Sequence, residues 1–146
     1  MELYLKETYL SMAKSAEGSK MFQTLWANVD GETKNILDDG DVSCAFFVSS
    51  LLKLFDLVDT PHATVSGLEK DLLRNNWKET TSPTSGTIIV WEKQAQANDD
   101  PHEHVGIYLE KNKAISNSYK KRVPIIHDID ETKRKIKAFY THSFLI

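Results

Sequence analysis

Residues 44–58 read Cys44-Ala45-Phe46-Phe47-Val48-Ser49-Ser50-Leu51-Leu52-Lys53-Leu54-Phe55-Asp56-Leu57-Val58. On a helical wheel Phe46, Phe47, Val48, Leu51, Leu52, Leu54, Phe55, Leu57 and Val58 cover nearly the whole circumference. A helix that is apolar on every side has to be buried. Asp41 or Ser43, just upstream, is placed to cap its start by accepting a hydrogen bond from a free backbone N–H. The stretch is therefore predicted as the central helix of the fold. Cys44, the chain's one cysteine, sits in its first turn.

Working outward, Leu3, Tyr4, Leu5, Tyr9, Leu10, Met12 and Ala13 space themselves as a modest amphipathic helix over residues 2–14. Ser19 to Trp26 either extends it or forms a second short helix. Asp30-Gly31 and Asp38-Asp39-Gly40-Asp41 are turn signals. Downstream, Asp59-Thr60-Pro61 breaks the chain before a second helical stretch from about Val65 to Asn75. Ser82-Pro83-Thr84-Ser85-Gly86 is a loop. Beyond it the period changes from helical to alternating. Thr87 to Glu92, His104 to Leu109, Lys113 to Ser118, Val123 to Ile129 and Ile136 to Thr141 read as short strands. Glu110-Lys111-Asn112 is a tight-turn candidate, because Asn tolerates positive φ. Helices first and strands second predict an α+β fold, with an antiparallel five-stranded sheet packed against the buried helix.

The chain has 146 residues, which suits one domain with one core. Hydrophobic residues at 40% and charged residues at 27% exclude a disordered chain. A single cysteine excludes an intramolecular disulfide and a multi-cysteine zinc site. No apolar run approaches the ~20 residues that span a bilayer. Met1-Glu2-Leu3-Tyr4-Leu5-Lys6 lacks the basic start and apolar stretch of a signal peptide. A cytoplasmic location is therefore expected, with export by another route left open.

The net charge of −3 is unevenly placed. Residues 111–137 carry nine Lys or Arg against Asp128, Asp130 and Glu131. A basic stretch of this kind can meet an anionic polymer or a membrane. These residues are spread through the stretch, however, which fits the solvated faces of strands. No nucleic-acid partner is expected.

A thiol in the first turn of a helix feels the positive end of the macrodipole, which favours the thiolate. Free N–H groups at that end can also hold a developing oxyanion. The competing reading is a small core hydrophobe. A nucleophilic cysteine needs a base, and the base needs a group to orient it. The candidates for base are His62, His102, His104, His127 and His142. His104 opens the strand His104-Val105-Gly106-Ile107-Tyr108-Leu109, and Gly106 leaves that face open for close approach. His102, Glu103 and His104 form only a weak metal signal, so no metal is expected.

Three segments carry a resemblance. Gly40-Asp41-Val42-Ser43-Cys44-Ala45-Phe46-Phe47-Val48-Ser49 is similar to the nucleophile segment, Asp-Cys-Ser-Gly-Phe-Val, of the NlpC-type papain-like cysteine peptidases. Ser85-Gly86-Thr87-Ile88-Ile89-Val90-Trp91 resembles their Pro-Gly-Asp-Leu-Val-x-Phe strand. His104-Val105-Gly106-Ile107-Tyr108-Leu109 with Lys113-Ala114-Ile115 resembles their His-Val-Gly-Ile-Tyr-Leu-Gly-Asn-Gly-Lys hairpin. The related CHAP amidases share the cysteine-then-histidine order. The likeness covers roughly residues 38 to 130. It departs from the pattern at Ser43 and Ala45 on either side of the cysteine, at the turn after Leu109, which lacks glycine, and in the absence of a Tyr-x-Trp-Gly-Gly segment.

The resemblance implies one papain-like domain over residues 1–146, with 1–37 as a helical extension and 38–142 as the catalytic core. It implies Cys44 as nucleophile and His104 as general base. The third residue, twelve positions after His104, falls on Ser116, with Asn117 beside it. Strand alternation lets only one of the two face His104. Register favours Ser116, and Asn117 is chemically the more usual partner. Asp41, Ser43 and His127 are the candidates for substrate contact. His127-Asp128 also reads as an ordinary surface pair.

The implied activity is cysteine-dependent hydrolysis of an amide or peptide bond, in a peptidoglycan-type stem peptide, without metal or organic cofactor. The alternatives are an intracellular protein deamidase or acyl transferase on the same fold, or a non-catalytic binding module.

Overall fold

The structure, a computed structural model, describes residues 1–40, 42–94 and 102–146. It is α+β, with three α-helices and two antiparallel sheets. The helices are α1 (Leu5–Ser15), α2 (Cys44–Leu54) and α3 (Val65–Arg74). A hairpin of β1 (Trp26–Val29) and β2 (Glu32–Asn35) forms the smaller sheet. The larger sheet has six strands in the order β3 (Lys78–Thr80), β8 (Ile136–Thr141), β4 (Ile88–Gln94), β5 (His102–Tyr108), β6 (Lys113–Ser118) and β7 (Val123–Asp128).

This corrects the five-stranded expectation. Lys78-Glu79-Thr80 has no apolar alternation to mark it as a strand. It is an edge strand, held by its ladder to Phe139, Tyr140 and Thr141 of β8. The N-terminal region is also not wholly helical. Ser19 to Leu25 forms turns and irregular chain, and Asn28-Val29-Asp30-Gly31 folds back as a hairpin, with Asp30 and Gly31 both at positive φ. Asn28 Oδ1 accepts from the Gly31 N–H at 2.8 Å and closes the turn.

α2 packs on one face of the sheet. Ala45, Phe47, Val48 and Leu52 are inaccessible to solvent and share a core with Val105 and Ile107 of β5, Ile115 of β6 and Ile88 and Val90 of β4. Each such side chain contributes about 1.5–3 kcal/mol of burial. The helix is not buried all round, because Leu54 is two-thirds exposed. The chain turns at Asp56 (φ 57°) and returns Leu57 and Val58 to the core. Thr64 caps α3 by accepting from the Gly67 N–H. On the opposite face of the sheet Ile89, Trp91 and Ala114 form a smaller cluster, flanked by Ile129, Ile136 and Phe139. Trp77 and Trp91 are both buried. The turn after β5 carries Lys111 and Asn112 at positive φ. No helix among the described residues is long and apolar enough to cross a membrane.

Candidate functional site

The site forms where the sheet splits. Tyr108 bonds toward β4, donating to Thr87 O at 2.7 Å and accepting from the Gly86 N–H at 2.8 Å. Leu109 donates the other way, to Lys113 O. Backbone groups alternate along a strand, so Val105 points to the β6 side. Its register partner there would be Asn117, but the β5–β6 ladder ends at Gly106 and Ser116. The Val105 N–H meets the Cys44 thiol instead. The N-terminus of α2 therefore fills the gap between two diverging strands.

Tertiary bonds fix that N-terminus. Asn117 Nδ2 donates to Gly40 O at 2.7 Å, just ahead of the helix. Arg122, in the β6–β7 turn, donates through its guanidinium to Asp38 O. Gln23 Nε2 in turn donates to Arg122 O. Gly40 holds φ 99°, a value that favours glycine.

Ser43 does not cap α2. Its side chain makes no cap bond, it is wholly buried, and its Oγ has no partner among the described residues. It is not among the residues that line either of the two clefts described below. Asp41 lies outside the described residues.

Burial pushes the Cys44 thiol up, above its ordinary range. The N–H groups of Val105 and Ala45, the Arg134 charge and the thiol's own N–H pull the other way without overcoming it. The resting group is the thiol.

His104, Ser116 and His127 meet on the face opposite the α2 core. Register pairs place His104 beside Trp91, Ser116 beside Gly106, and His127 beside Ala114. A Cβ on Gly106 would lie 2.9 Å from Ser116 Cβ and 3.3 Å from the Trp91 ring, so only glycine leaves this floor clear. His104 Nε2 is 2.9 Å from Ser116 Oγ. Ser116 Oγ is 2.7 Å from His127 Nε2, and His127 Nδ1 is 2.8 Å from Asp128 O. The Trp91 ring lies against both imidazoles, with centroids 5.2 and 5.9 Å away. Of the two adjacent candidates, Ser116 is therefore the one at the His104 ring. Asn117 points to Gly40.

The chain of bonds assigns the hydrogens. A carbonyl oxygen only accepts, so His127 Nδ1 carries a hydrogen. In the neutral ring Nε2 is then an acceptor, and it takes the Ser116 hydroxyl hydrogen. Ser116 Oγ in turn accepts from His104 Nε2–H. Among the described residues no hydrogen bond reaches the remaining, unprotonated nitrogen of His104, Nδ1. Burial, and then the charges of Arg134, His127 and His102, lower the His104 pKa to about 3. The ring is neutral at pH 7, and burial makes it a weak base at rest.

Cys44 and His104 line different clefts. Cys44 faces a mainly apolar one of about 630 Å³, with Ile36, Val42, Val65 and Glu103 among its walls. His104 faces one of about 560 Å³ with Ser116, His127, Arg134, Lys120 and Lys121. No hydrogen bond joins the thiol to the imidazole among the described residues. The backbone of β5 does connect them, since the thiol touches the N–H of the residue after His104.

Two contributors were not legible in the sequence. Arg134 reads as one cation in a basic run, yet Nη1 donates to His102 O at 2.8 Å and so holds its charge beside His104. The Val105 N–H is a backbone group freed only by the split. The basic stretch is divided in space. Lys113 pairs with Asp128, Lys137 with Glu69 and Glu103, and Lys120 and Lys121 line the His104 cleft. Among the described residues no three His, Cys, Asp or Glu cluster as a metal site. No family model matches the chain, and no curated protein matches it.

Proposed function

We propose that the chain is a cysteine hydrolase of amide bonds, built on a papain-like core of the NlpC kind, with Cys44 as nucleophile and His104 as general base. The observation that carries this reading is the free Nδ1 of a neutral His104, one residue from the backbone N–H that touches the only thiol. Packing alone would need neither the split in the sheet nor the chain of hydrogen bonds. The resemblance of the cysteine and histidine segments points the same way.

In this mechanism the pair rests as thiol and imidazole. Binding of an amide at the mouth of the gap brings its carbonyl to Sγ. Sγ attacks the carbonyl carbon as the thiol proton moves to His104 Nδ1. The tetrahedral oxyanion is held by N–H groups at the start of α2, chiefly that of Cys44. His104 then passes the proton to the leaving amine, and the acyl group stays on sulfur. Water, deprotonated by the same nitrogen, releases the acid. Bonds between nucleophile and base commonly close only when substrate binds, so separate clefts at rest are compatible with this sequence. The acyl half of the substrate occupies the apolar cleft beside Cys44, and the amine half lies on the His104 side. A peptide or peptidoglycan fragment is the substrate class that the resemblance implies.

The test is incubation with pools of peptides and peptidoglycan fragments, read by mass spectrometry. Hydrolysis yields two fragments whose masses sum to the parent plus one water, and Cys44→Ala abolishes it. Cleavage that continues in Cys44→Ala would remove the mechanism. A gain of about one dalton without cleavage would point to deamidation.

A further inference from the structure

We propose that His127 decides, through Ser116, which ring nitrogen of His104 is free to act as the base, and that a proton on His127 switches that base off. The proposal rests on the reading of His104 as the base.

Three distances make the chain continuous: 2.9 Å from His104 Nε2 to Ser116 Oγ, 2.7 Å from Oγ to His127 Nε2, and 2.8 Å from His127 Nδ1 to Asp128 O. Ser116 Oγ has these two ring nitrogens as its hydrogen-bond partners. A hydroxyl has one hydrogen to give, so while it donates to His127 it can only accept from His104.

With His127 neutral, the anchor at Asp128 O forces every hydrogen to point toward Nε2 of His127. His104 then carries its hydrogen on Nε2, and Nδ1 is the base. When His127 gains a proton at Nε2, that nitrogen can only donate, and it donates to Ser116 Oγ. The hydroxyl hydrogen, released from His127, turns to its other partner, His104 Nε2, which accepts it. The hydrogen of His104 leaves Nε2 and one returns to Nδ1 by exchange with water in the cleft. His104 stays neutral, the added charge stays on His127, and the nitrogen that would take the thiol proton is occupied.

Ring flips offer no easy escape. The Asp128 carbonyl anchors one edge of His127, and Trp91 lies against both rings. An imidazolium at residue 127 meets Arg134, Lys120 and Lys121 as like charges and Glu131 as the opposite one, all lining the same cleft with His104 and Tyr119. Asp128 is turned to Lys113 at 2.7 Å. His127 is thus a positioning residue that acts through Ser116 and touches no reacting atom.

The experiment is nitrogen NMR of the full chain with labelled histidine, followed through an acid titration. In the wild type, the His104 hydrogen moves from Nε2 to Nδ1 as His127 gains its proton. Two variants fix the polarity without any titration. His127→Glu supplies an acceptor at pH 8 and keeps the hydrogen on Nε2. His127→Lys supplies only donors and places it on Nδ1. Ser116→Ala disconnects the rings, so that the His104 tautomer no longer follows His127.

Amide hydrolysis in His127→Lys falls about a hundredfold, the scale of a lost general base. The same His104 tautomer in His127→Glu and His127→Lys, or one that ignores His127 across the titration, overturns the proposal. The tautomer is read without turnover. A positive NMR result with no hydrolysis would therefore sustain the relay and remove only the hydrolase reading.

Discussion

His62 and His104 each hold a side-chain hydrogen bond, and the two bonds are built for different ends. His62 Nε2 lies 2.6 Å from Asp71 Oδ2. That carboxylate is wholly buried and also accepts from the N–H groups of Asp59 and Thr60 and from Asn75 Nδ2. Burial pushes the Asp71 carboxyl up, but the Asp59 N–H, the His62 ring and the Thr60 N–H together hold it below its usual range. The cluster is a clip between the loop after α2 and helix α3. His104 differs. Its bond goes to a hydroxyl that passes the interaction on to a second ring, and the residue lines an open cleft. What separates the two histidines is where the bond leads: into a buried carboxylate clip for His62, and on to a second ring in an open cleft for His104. The strength of the bond does not separate them.

The sharpest way to break this contrast is through the clip. Asp71→Ala leaves four donors without their carboxylate and costs about 3 kcal/mol in urea unfolding. In the folded fraction, Cys44 reactivity stays within about twofold. A large loss of reactivity at unchanged stability would show that the two histidines are not divided as described.

Gly106→Ala strikes the other side. Its Cβ would lie 2.7 Å from Ile115 O and 2.9 Å from Ser116 Cβ. The strand must shift, at about 1–3 kcal/mol. Unlike Asp71→Ala, this variant also moves Ser116 and lowers reactivity.

Acid separates the pair by pH window. The folded-state value of His104 lies near 3, below the 6.5 of a free imidazole. Between those values the unfolded chain binds the extra proton, so stability is full above about pH 6.5 and falls as pH drops toward 3. The slope is at most about 1.4 kcal/mol per pH unit. His104→Gln removes that slope in wild-type-relative denaturant curves. Asp71 acts lower. Its stabilisation is present above the ordinary carboxylate value of 3.8 and is lost as pH falls through its depressed one.

The smallest effect is expected at the surface. Lys113 bonds the Asp128 carboxylate, whereas His127 uses the Asp128 carbonyl. Lys113→Ala should therefore leave both the melting temperature and Cys44 reactivity unchanged within error.

Much of the fold was legible because patterning and packing agreed. The apolar density of residues 44–58 marked the buried helix, and alternation after Gly86 marked five of the six strands in the main sheet. β3 and the β1–β2 hairpin were not legible, because short polar segments become strands through the ladders they join. At the site, the twelve-residue interval from His104 located Ser116, since a tight turn at Lys111 and Asn112 fixes the register. His127 reads equally as surface, because its role depends on which face of β7 meets Ser116. Arg134 and the Val105 N–H are products of tertiary geometry, and no local pattern encodes them. Ser43 misled for a related reason: a hydroxyl before a helix suggests a cap, but here it is buried and makes no cap bond.

The central claim is that His104 serves as base to Cys44. Its most direct test is acylation by p-nitrophenyl acetate, following p-nitrophenolate release and locating the acyl group by mass spectrometry. The wild type is expected to give a burst of one equivalent, with the acetyl group on Cys44, and His104→Ala to slow that burst by at least about a hundredfold at neutral pH. Equal bursts in the two proteins, or acetyl groups found only on surface lysines, would contradict the account.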